Sequence, residues 1–149
     1  MYANSRLSEQ LAKLGTIDPV SQAAGTVTSG WISAADFERF VATIQTGVLG
    51  ASATVDAKLQ QATTSSGTGA KDVTGKAITQ IVKASGDNKQ VDINLRAEEL
   101  DTNGGFNYFR LSVTVGTATS LISAMIQGGV PRHFPASALN AASVVQLVS

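Results

Sequence analysis

The 149-residue chain contains no cysteine, one histidine, three prolines and few aromatic residues, 5% in all. Without cysteine there is no disulfide, no thiolate metal site and no cysteine nucleophile, and the redox compartment stays open. His133, in Pro131-Arg132-His133-Phe134, is the single base available to a serine nucleophile, and no Gly-x-Ser-x-Gly elbow surrounds any serine. Charge is sparse as well: charged residues make up 15% of the chain, against about 25% in ordinary soluble domains. Eleven basic and eleven acidic residues cancel to a formal net charge of zero. That excludes a large basic footprint for nucleic acid. It also leaves little self-repulsion, which suits a subunit packed into an assembly. No run approaches the roughly 18 apolar residues needed to span a bilayer, and Met1-Tyr2-Ala3-Asn4-Ser5-Arg6 lacks the apolar centre of a signal peptide. Neither nucleic acid nor membrane is therefore expected as a partner, and no export by the usual signal is expected.

What the chain does have is a ladder of short alternating runs between Thr26 and Gln127. In Ala53-Thr54-Val55-Asp56-Ala57-Lys58-Leu59-Gln60, every second side chain is apolar. A period of two places one face of a strand in a core and the other in water. The same pattern recurs with Phe40, Ala42 and Ile44 inward, with Val91, Ile93 and Leu95, and with Phe109, Leu111, Val113 and Val115. Ala62 to Gly75 is rich in Thr, Ser and Gly and reads as an exposed loop; strands resume at 77–82. Turns are expected at 85–88, at the Asn103-Gly104 pair and at 116–120. The sum is about seven or eight strands, which predicts an all-β fold: an antiparallel β-sandwich or jelly roll, with one domain over residues 20–132.

Two flanking segments differ from this pattern. Leu7, Leu11 and Leu14 fall at i, i+4 and i+7, with Asn4 or Ser5 as N-cap and Gly15 as a stop. That spacing predicts an amphipathic helix of about ten residues in an N-terminal arm, 1–19, closed by Asp18-Pro19. From His133 onward the chain becomes small, apolar and uncharged. A tail carrying Val144, Val145, Leu147 and Val148 has little reason to float free, and is expected to add an edge strand to its own domain or to a partner. Residues 133–149 thus form a C-terminal arm. The expected contact residues are Leu7, Leu11, Leu14, Trp31, Phe134, Val144, Val145 and Leu147. On that reading, chains lacking 1–19 or 134–149 still fold but bind poorly.

Three fragments resemble active motifs and fail in detail. Gly69-Ala70-Lys71-Asp72-Val73-Thr74-Gly75-Lys76-Ala77 spaces its glycines by five residues rather than four and puts Ala77 where a phosphate loop needs Ser or Thr. Asp101-Thr102-Asn103-Gly104, even with Glu98 and Glu99 nearby, lacks the full twelve-residue calcium loop and its terminal glutamate. Trp31, Tyr2, Tyr108 and Phe134 are scattered in sequence, so a sugar-binding sandwich would require folding to gather them into an exposed platform. No cofactor or metal is called for.

Several stretches of this ladder resemble those of a known group of proteins: Gly30-Trp31-Ile32, residues 50–60, Lys76-Ala77-Ile78-Thr79-Gln80, Asn94-Leu95-Arg96-Ala97-Glu98-Glu99-Leu100-Asp101, and Arg110-Leu111-Ser112-Val113-Thr114-Val115-Gly116. Over roughly residues 25–132 the chain is similar to small virion structural proteins of tailed bacteriophages, and most of all to capsid decoration, or cement, proteins. The resemblance implies a non-enzymatic protein, made in the host cytoplasm, that oligomerises (as a trimer in many such proteins) and binds the major capsid protein on the exterior of the virion. A neck or tail component is the alternative within that group. A carbohydrate-binding β-sandwich is the alternative outside it.

Overall fold

A computed structural model describes residues 3–148. Tyr2, one of the scattered aromatics, and Ser149, the last residue of the tail, lie outside the described residues. The order of elements is α1 (Leu7–Gln10), β1 (Leu11–Gln22), β2 (Gly25–Thr28), β3 (Ile32–Ser33), β4 (Phe37–Thr46), β5 (Thr54–Ala62), β6 (Lys71–Ala77), β7 (Ile81–Val82), α2 (Lys83–Gly86), β8 (Gln90–Arg96), β9 (Tyr108–Gly116) and β10 (Ser120–Pro131). Short 3-10 turns occupy Ala97–Glu99, Thr102–Gly104 and Ala136–Leu139.

The strands form two antiparallel sheets, one in the order β1-β10-β4-β8 and the other β2-β9-β5-β6, with β3 on β9 and β7 on β5. This is the predicted all-β sandwich. Ten strands are present among the described residues; β2 and β3, and β6 and β7, share a position in the sheet and are each interrupted by a bend.

Alternation decides which side chains meet. Phe40, Ala42 and Ile44 of β4 lie opposite Gly128, Ile126 and Ala124 of β10, while Val55, Ala57 and Leu59 of β5 lie opposite Val115, Val113 and Leu111 of β9. These inward residues are buried. At the centre, the Phe109 ring meets the edge of Phe40 at 4.7 Å between centroids, and Phe40 meets Phe37 at 6.2 Å. Edge-to-face geometry suits the ring quadrupoles. Gly128 is required by a close approach: a Cβ there would lie 2.7 Å from Phe37 Cγ and 2.8 Å from Leu14 Cδ1.

Two local expectations need correction, and one of the two alternatives for the tail is not realised. The amphipathic helix over Leu7, Leu11 and Leu14 is a single turn, Leu7–Gln10, closed by the Arg6 N–H donating to the Glu9 carboxylate at 2.6 Å. Leu11 and Leu14 belong to β1, where Ala12 and Ile17 are the buried residues. Pairing with β10 wins because it satisfies a row of backbone groups and buries two apolar side chains, which one short helix alone in water cannot match. The loop ends at Ala70 rather than Gly75, since Val73 is buried and anchors β6 against β5. The C-terminal tail forms no strand with its own domain among the described residues; it turns at Ala136–Leu139, and the Val144 N–H donates to the Ala141 carbonyl at 3.0 Å.

Candidate interaction surfaces

The two termini meet at one place. The single turn α1 and the 3-10 turn Ala136–Leu139 pack against each other and against the start of β1, which is an edge strand of its sheet. The contact is fixed at Lys13, whose N–H donates to Asn140 Oδ1 at 2.7 Å and whose carbonyl accepts from the Ala141 N–H at 2.7 Å. Beyond Ala141 the tail separates from the edge. A cleft of about 320 Å³ remains between them, lined by Lys13, Gly15, Thr16 and Asp18 on one side and by Ala141 and 143–146 on the other.

The contact residues expected from sequence are divided by this arrangement. Leu7 is exposed (69%), Leu11 is half-buried against Gly129, and Leu14 is tucked over Gly128 beside Phe37, so the three leucines do not form one stripe. Val144 is half-buried at the cleft, whereas Val145 (92% exposed), Leu147 and Val148 (88%) face solvent. Phe134, joined to Pro135 by a cis peptide, is exposed on the approach to the tail. Trp31 is far from these in sequence and is half-buried: the Arg110 guanidinium stacks over its ring at 4.5 Å, and Gly67, with φ +89, lies so close that a Cβ there would come within 2.5 Å of Trp31 Nε1. Arg110 is in turn held by Gln60 Oε1 at 3.0 Å.

Sequence reasoning found the tail but missed its anchor. Lys13, Asn140 and Ala141 carry no apolar signal, and a side-chain carboxamide replacing a strand bond is invisible to periodicity. A second surface was also missed. On the outer face of the β1-β10-β4-β8 sheet, two clefts of about 500 and 410 Å³ share Pro19, Gln45 and Ser123. Their walls mix aliphatic side chains such as Val20, Leu121 and Met125 with amides and hydroxyls and contain no aromatic ring, and Thr43 Oγ1 there donates to Asp92 Oδ1 at 2.6 Å. Tyr108 is half-buried on the other sheet, so no aromatic platform forms from Trp31 and Tyr108 on this face.

The electrostatics are those of paired surface groups. Lys58 and then Gln60 bond Asp72, and together they hold its carboxyl below the ordinary carboxylate range. Lys76 does the same for Glu99, helped by the Arg96 N–H; Lys83 for Asp87, helped by the Leu49 N–H; and Lys71 for Asp101, helped by the Gly104 N–H. Each of these acids fastens a turn or a sheet edge to its neighbour. The described residues contain no group of three or more His, Cys, Asp or Glu side chains placed to hold a metal ion. His133 is exposed in the bend after β10.

No protein-family model and no curated protein matches the chain. Among solved structures it is similar to one from broad bean stain virus (8% identity, 90% of this chain and 92% of that chain, TM-score 0.49). It is also similar to the SPBc2 prophage-derived protein YomS (9% identity, 79% and 93%, TM-score 0.41) and to a CBM4 structure (11% identity, 82% and 71%, TM-score 0.43). With overlaps of this size, the architecture of the chain is defined by its own strand pairing.

Proposed function

We propose that the protein is a non-enzymatic structural component of a bacteriophage virion, a decoration protein that oligomerises and binds the major capsid protein on the outside of the shell. One observation carries this reading: the turn Leu7–Gln10 and the tail from Ala136 onward meet at the β1 edge of the sheet, and Leu7, Val145, Leu147 and Val148 are left exposed there. Apolar side chains displayed on arms are poorly suited to a free monomer and well suited to burial between subunits. The low, balanced charge and the resemblance over residues 25–132 support the same reading. A standard interface buries roughly 1,600 Å², and many copies on a lattice turn individually weak contacts into firm attachment.

A carbohydrate-binding role is less well supported, because Arg110 already occupies a face of Trp31 and Tyr108 is half-buried. A neck or tail position shares every feature named here except the partner. The test is co-sedimentation of the purified protein with shells that lack it. Substitution is preferable to deletion of 1–19, since that deletion removes most of β1 and exposes β10. Saturable binding that is lost in a Val145→Asp, Val148→Asp variant supports the reading; shells that sediment without the protein at any concentration refute it.

A further inference from the structure

Within one molecule the tail bonds to the edge of β1 at Lys13 and then borders a cleft along the rest of that edge. In an antiparallel ladder, alternate residues turn their N–H and C=O away from the partner strand. Lys13 does so, and it bonds to Asn140 and Ala141. Its partner in β10 is Gln127, and Thr16 lies opposite Met125, two residues along; Leu14 is the extra residue of a bulge between them. Thr16 therefore turns its amide and carbonyl toward the same side as Lys13, into the cleft. Pro19 and a second register shift between Ile17 and Val20 end the usable edge, because proline brings no N–H to a ladder. The acceptor is a short, open stretch over residues 13–17.

The donor is the tail beyond Ala141. Residues 143–148, Ser-Val-Val-Gln-Leu-Val, are uncharged, lack Gly and Pro, and are rich in β-branched side chains, the composition of a segment that pairs readily as a strand. In its own molecule this segment stands across the cleft from the β1 edge after the turn that closes from Val144 N–H to the Ala141 carbonyl, and Val145, on the cleft wall, and Val148 are both largely exposed. An exposed donor that forms no strand in its own molecule and an acceptor edge beside an open cleft are complementary between copies.

We propose that residues 143–148 of one copy pair as an added strand with the β1 edge of a second copy, extending its four-stranded sheet and continuing the contact already begun at Lys13. Such an exchange is head-to-tail, so it closes into a ring or propagates, according to the angle between copies. This rests on the reading of the protein as a self-assembling component, but it concerns the contact between copies and not the contact with a shell.

The experiment mixes two full-length variants, Thr16→Cys and Val145→Cys, and adds a short bismaleimide linker that tolerates a one-residue difference in register. The expected result is a cross-linked heterodimer in the mixture that is lost when Val144→Pro is added to the Val145→Cys chain, with light scattering showing the parent protein larger than a monomer and the Val145→Pro variant reduced in mass. Both tail positions lie outside the sandwich, so the substitutions leave its folding intact. A mixture that cross-links no more than either variant alone, or a Thr16→Cys, Val145→Cys double variant that links only within one chain, overturns the proposal. Cross-linking in solution by a protein that fails to bind shells keeps the strand exchange and removes the virion reading; shell binding without cross-linking does the reverse.

Discussion

Phe109 is among the largest fully buried side chains. It is fully buried and meets Phe40 at the centre of the sandwich, so Phe109→Ala removes a large ring from a site that rigid strands on both sides keep from collapsing. The expected loss is about 3–5 kcal/mol, a substantial part of the roughly 5–15 kcal/mol that a domain has; urea unfolding measures it. Gly128 fails in the opposite sense. Gly128→Ala drives a methyl group into Phe37 and Leu14, and the expected cost is about 1–3 kcal/mol from overpacking, visible as a lowered denaturation midpoint with an unchanged slope. Phe109 was legible in the sequence because its neighbours alternate around it. Gly128 was not, because a glycine needed for close approach looks the same as one needed for a turn.

Elements with one wet and one dry face were readable, and those governed by an edge were not. β4, β5, β8 and β9 follow the period of two closely, so their inward residues could be named from sequence. β1 could not be recognised, since its two register shifts break the alternation and leave leucines at a spacing that imitates a helix. β6 was hidden for a related reason: it lies at a sheet edge, and Val73 is its one buried residue. The elements are tied at their ends by the four acids whose pKa values are lowered, Asp72, Asp87, Glu99 and Asp101. A folded-state value below the unfolded one gives stability that is fully present above the ordinary carboxylate range, about pH 4, and lost as pH falls through the lowered values. The melting temperature is therefore expected to be flat from neutrality down to about pH 5 and to decline below about pH 4. All four pairs are at the surface, so the decline is shallow and added salt reduces it; calorimetry across pH at two salt concentrations checks both statements.

At the scale of the whole molecule, the proposed role makes the sandwich the scaffold and the terminal segments its contact surface. The proposed contact residues of the tail stand out in the sequence through its lack of charge, but their place beside the β1 edge could be seen only after folding brought Lys13 beside Asn140. The measurement that bears most directly on the account is a cryo-electron microscopy reconstruction of the virion that carries this chain. The account predicts density for the sandwich on the exterior of the shell between capsomers, with the edge formed by β1 and the tail turned toward a neighbouring subunit. Density confined to the portal, neck or tail would contradict the decoration role, and absence from the particle would contradict the virion role altogether.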